Sequence, residues 1–180
     1  MGASRRILAA SSHFLGWGYA SQTGQNRLPV IRGCLPPSLV LKAGDSHLID
    51  CSTFTTALVC YGFPGVEWDA MAYRDMQVQD ATRLWSAPEA WVRHGLGGVL
   101  DNIPADGWGM YQSWVDDKLE EFDGDGISGG HQWLFNAKHG LRLHSSSRDH
   151  IGPTMDRGVS WAWLKGYYRD GIRGVALDVQ

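Results

Sequence analysis

Cys51 follows Asp50 and opens a segment, Cys51-Ser52-Thr53-Phe54, that leads into an apolar helical repeat. Two physical effects favour a thiolate at such a position. The first amide N–H groups of a helix have no internal partners, and the positive end of the helix dipole lies there. A thiolate nucleophile needs a base, and the base needs a group that orients it. Of the seven His, His131 and His144 stand on two successive segments with strand alternation, so they are the candidate base and its partner. The chemistry these three would carry is acyl transfer through a thioester. The other thiols read differently. Cys60 lies inside the same helix, as a small buried apolar residue would, and Cys34 sits in a Pro/Gly loop. An odd count of three Cys argues against a disulfide framework, and no C-x-x-C pair or Cys/His cluster offers a zinc site. No metal or cofactor is expected.

The elements that must position these residues are legible in part. Asp50 is a plausible N-cap for a helix running to Gly62, with Phe54, Ala57, Leu58 and Tyr61 at helical spacing and Pro64 beyond. An earlier helix is expected over 4–15, striped by Ile7, Leu8, Phe14 and Leu15 and stopped by Gly16 and Gly18. Ser86-Ala87-Pro88-Glu89 is a capping box opening a further helix that stops at Gly95, and Leu39–Leu41 reads as a short strand. From Trp108 the period becomes that of strands: Trp108–Trp114, His131–Phe135 and Leu141–Ser145, with a turn over Asn136–Gly140, and a last strand over Gly174–Val179. Pairing Asn136 with either His139 or Leu141 puts His131 and His144 on one face; pairing Phe135 with Leu141 does not. Helices followed by a run of antiparallel strands form an α+β order in one domain over 1–180.

These residues carry a resemblance. Asp50-Cys51-Ser52-Thr53-Phe54 resembles the D-C-S-G-F nucleophile motif of the NlpC/P60 family of papain-like cysteine peptidases. His131, opening HQWLF, resembles the family's H-V-G-I-Y strand, and LHSSS with His144 resembles the strand ending in H-A-S. Leu15-Gly16-Trp17-Gly18-Tyr19 is similar to the family's L-G-x-x-Y segment, and GYYRDGIRGVAL resembles its closing strand. The resemblance implies a papain-like α+β fold, with a central antiparallel sheet and the nucleophile helix packed against it. It implies Cys51 as nucleophile, His131 as base, His144 as its orienting partner and Tyr19 over the thiol. The implied substrate is a peptidoglycan stem peptide, cut by an endopeptidase or amidase. Thr53 departs from the motif's Gly, and Gly107-Trp108 from the Gly-Asp that precedes the family's second strand. Insertions are expected near 20–45 and 63–80, where the spacing exceeds the family's.

Composition bounds the rivals. At 180 residues, 43% apolar, 19% charged and net charge −3, the chain has a globular balance and no basic footprint for nucleic acid. No apolar run approaches the roughly 20 residues of a membrane span. Arg5 and Arg6 precede ILAASSHFLGWGYA, but His13 and two Ser break the run, so it makes no clear export leader. Action in the periplasm or cell wall would then follow delivery by a phage, a virion or a secretion system, as a lytic enzyme or an effector with an immunity partner. Nine Trp motivate a second class, a non-catalytic glycan-binding or virion structural protein. Trp17, Trp108, Trp114 and Trp133, with Ser52, are the groove candidates; Trp68, Trp85, Trp91, Trp161 and Trp163 are expected to pack. Among enzymes, a CHAP amidase or transglutaminase-like protein would use Asp149 as a third member, and a zinc amidase would use the His residues as ligands. Asp123-Gly124-Asp125-Gly126 reads as an acidic turn and only weakly as a calcium loop, since Gln132 stands where a bidentate Glu belongs.

Overall fold

A computed structural model describes residues 3–19, 49, 51–62, 99–101, 104–114, 130–146, 152–168 and 172–177. Two helices come first: α1 over Ala3–Phe14 and α2 over Cys51–Gly62. Strands follow: β1 over Val99–Asp101, β2 over Trp108–Trp114, β3 over Gly130–Asn136, β4 over Leu141–Ser146 and β5 over Gly152–Arg157. A short helix, α3 over Trp161–Tyr167, and a last strand, β6 over Ile172–Ala176, complete the set. The strands form one antiparallel sheet in the order β1-β6-β2-β3-β4-β5. The fold is α+β in character, as the element order requires.

Strand alternation gives the sheet two faces. The first carries Trp108, Met110, Leu134 and Leu143, all buried. Trp108 Nε1 donates to Ser4 Oγ at 2.7 Å, which seats α1 on this face. Ile7, Ala10, Ser11 and Phe14 form the buried stripe of α1. The expected stripe was displaced, because Leu15 lies beyond the helix and is exposed. Phe14 meets Phe54 of α2 edge-on, with ring centroids 5.5 Å apart. In α2 Phe54, Thr55, Ala57, Leu58 and Val59 are all buried, so tertiary packing holds a helix rich in β-branched residues. Thr55 Oγ1 donates to the Cys51 carbonyl at 3.0 Å, which satisfies a hydroxyl that would otherwise be buried unpaired.

The second face is aromatic. Tyr111, Trp133 and Phe135 pack with Leu164, Tyr168 and Ile172, and Trp161 leans on them from α3. Tyr111 stacks on Trp133 at 4.8 Å. Its ring lies over Gly109 and Gly174, where a Cβ would come within 2.6 Å of ring carbons. Only residues without a side chain leave that space.

Four elements differ from the sequence expectation. β5 was unforeseen because GPTMDRG lacks alternation; it is the sheet's edge, where Pro153 forfeits no essential ladder bond. α3 is only seven residues long and is fixed by its cap, Ser160 Oγ accepting from Trp163 N at 3.1 Å. β1, three residues, lies where no strand was expected, and β6 begins two residues earlier than expected. The expected strand 39–41, the capping-box helix from Ser86, both insertions, Asp149 and the Asp-Gly turn lie outside the described residues.

Candidate active site

The proposed nucleophile, base and orienting residue are brought to one end of the sheet. Cys51 is the first residue of α2 and is 5% exposed. The backbone two residues before it is held from both sides. Ser145 Oγ, beside His144 in β4, donates to the Ile49 carbonyl at 2.8 Å, and Ile49 N donates to the Gly18 carbonyl at 3.0 Å. Gly152, at the start of β5, has φ +67° and presses against the backbone of Trp17 and Gly18. A Cβ there would collide with the Trp17 carbonyl oxygen, so the Trp17–Tyr19 segment is seated directly on the strand.

His131 is the second residue of β3 and His144 lies late in β4. The register pairs Asn136 with Leu141 and Trp133 with His144, one of the two expected pairings that put both imidazoles on the same face. They lie diagonally, and His131 Nε2 is 3.0 Å from His144 Nδ1. His144 Nε2 is 3.1 Å from Asp156 Oδ2 in β5. Arg142, two residues before His144 and so on its face, donates to the same oxygen from Nε at 2.8 Å and Nη2 at 2.5 Å. Arg142 Nη1 donates to Tyr168 Oη at 3.1 Å, and the guanidinium lies 5.3 Å from the centre of the Trp163 ring.

The charges of this row are set by burial and by neighbours. His131 is held well below the usual His range, first by burial and then by the positive fields of His144 and Arg142, against the pull of Asp156. His144 is lowered by burial, partly offset by its hydrogen bond to Asp156. The same bond, with Arg142, brings Asp156 down to about 2. Near neutral pH the row is therefore a carboxylate, a guanidinium and two neutral imidazoles. Burial pushes Tyr168 up to about 12, against the positive field of Arg142. The Tyr168 ring is 6.3 Å from the His131 ring, so this phenol lies beside the imidazole row.

The remaining candidates divide. Tyr19 is half-buried and follows Gly18, whose carbonyl holds Ile49. Ser52 lies in the first turn of α2, and Trp114 ends β2. Trp17, Trp108 and Trp133 are 3%, 1% and 0% exposed, which corrects their assignment to a groove. Trp133 is sandwiched between Tyr111 and Tyr168, and Trp17 meets Phe14. Trp161 packs as expected, whereas Trp163 is 49% exposed. Among the described residues no group of three His, Cys, Asp or Glu could hold a metal ion, and no described helix is long and apolar enough to cross a membrane.

Sequence reasoning missed Asp156, Arg142 and Tyr168. One signal was present: Arg142 and His144 alternate onto one face of a strand, and an arginine buried there needs a carboxylate. Comparison of the chain with protein-family models, with curated proteins and with solved structures finds no match.

Proposed function

We propose that this protein is a cysteine peptidase that hydrolyses amide bonds in the stem peptides of bacterial peptidoglycan. The observation that carries the reading is the convergence at one sheet end of a helix-initial Cys51 with hydrogen-bonded His131 and His144. The family resemblance narrows the substrate from amides in general to stem peptides.

In this mechanism the Cys51 thiol gives its proton to His131 as Sγ bonds to the carbonyl carbon. The tetrahedral oxyanion is held by backbone N–H groups in the first turn of α2. Its collapse breaks the C–N bond, and His131 returns the proton to the leaving amine. Water then attacks the thioester, giving its proton to His131, and the acid product leaves with the thiol restored. Tyr19, carried on the segment bonded to Ile49, is the candidate second oxyanion donor.

Digestion of purified peptidoglycan, with mass spectrometry of the soluble fragments, tests the reading. Wild type should release peptide-cleaved fragments, and Cys51→Ala should release none while keeping the wild-type circular dichroism spectrum. Full activity in Cys51→Ala would reject it.

A second reading has one observation in its favour. Trp163 and Tyr167 are exposed on α3 and stacked at 5.0 Å, a platform suited to a sugar ring. A glycan-binding module would sediment with peptidoglycan and release nothing.

A further inference from the structure

We infer that Asp156, clamped by Arg142, is a positioning residue that fixes the tautomers of both imidazoles and thereby makes Nδ1 of His131 the proton-accepting nitrogen. The inference rests on the reading of His131 as the base, and its geometry is independent of the substrate.

Asp156 Oδ2 takes two N–H bonds from Arg142, and an ionised carboxylate only accepts. His144 Nε2, 3.1 Å from that oxygen, must then carry a proton. A neutral imidazole has one N–H, so His144 Nδ1 is bare and can only accept. His131 Nε2, 3.0 Å from it, must be the donor. The His131 proton is thereby placed on Nε2, and its lone pair on Nδ1. One carboxylate thus sets two tautomers in series through a row of N–H donors that all point toward β5.

Arg142 makes the device rigid. Its three nitrogens are committed to Asp156 and Tyr168, and its face to Trp163, so the carboxylate cannot turn away from His144. Asp156 itself is 28% exposed and would otherwise be free to reorient. Arg142 also opposes imidazolium formation on the row. The resting base is therefore neutral.

Long-range ¹H–¹⁵N spectra of the His rings in the full chain at pH 8 test the inference directly. Wild type should show His144 and His131 both protonated on Nε2. Asp156→Ala should convert His144 to a mixture of tautomers and lower kcat roughly 10²-fold with a smaller change in KM. Asp156→Asn, whose amide oxygen still accepts at that position, should restore part of both. A loss of fold stability alone would move the melting temperature and leave the tautomers unchanged. His144 protonated on Nδ1 in wild type, or wild-type tautomers and kcat in folded Asp156→Ala, would overturn the inference. If Asp156→Ala does not fold, the wild-type spectrum still decides. If wild type cleaves no peptidoglycan, the function fails separately, and the tautomers together with the iodoacetamide rate at Cys51 decide this proposal.

Discussion

At the scale of single residues, reactivity separates the thiol enzyme from an inert fold. Cys51 stands at a helix start, at the sheet end that carries the imidazole row. Iodoacetamide should alkylate Cys51 well below pH 8, and His131→Ala should slow that reaction by more than tenfold. A rate that rises only above pH 8 and ignores His131 would mark a structural cysteine. The residues legible in the sequence were those whose type is itself a signal: a Cys at a helix start and two His on alternating strands. Asp156 was illegible because nothing in GPTMDRG marks a strand, and a carboxylate means nothing until Arg142 is paired to it. The tryptophans were misleading for the opposite reason. Their type fits both a sugar platform and a core, and only packing tells Trp133, fully buried, from Trp163.

At the scale of elements, the site depends on how two loose ends are fastened to the sheet. Ser145 ties the approach to Cys51 onto β4, and Gly152 admits the Trp17–Tyr19 backbone against β5. Ser145→Ala leaves the buried Ile49 carbonyl one donor short and should cost about 1–2 kcal/mol in urea denaturation. It should also lower turnover more than stability, since Ser145 adjoins His144. Gly152→Ala forces a Cβ into a carbonyl at a left-handed φ and should cost about 1–3 kcal/mol. Wild-type denaturation midpoints in both variants would show that these contacts do not hold the segments. Elements with a strong period were readable to within a residue, as β2, β3 and β4 show. β1, β5 and α3 were not, because three to seven residues at an edge or under an aromatic cluster owe their form to partners rather than to local preference.

At the scale of the whole molecule, the imidazole row ties stability to pH. His131 and His144 have folded values below the ordinary 6.5, so below pH 6.5 the unfolded chain binds protons that the folded chain refuses. Their contribution is complete above pH 6.5 and is lost as pH falls beneath it. Asp156 acts with the same sign in a lower window: its folded value is about 2 against 3.8, so its contribution is complete above pH 3.8 and is lost between there and pH 2. The row titrates as a coupled unit, so the first loss should be one broad step rather than two sharp ones. Urea midpoints stepped from pH 8 to pH 3 should be level above 6.5, fall below it and fall again under 4. His144→Gln should flatten the first decline while leaving Asp156 paired to Arg142. A midpoint that holds level from pH 7 to pH 4.5 would show that the imidazoles are hydrated and charged, and a neutral base could not then be reconciled with the packing of the second face.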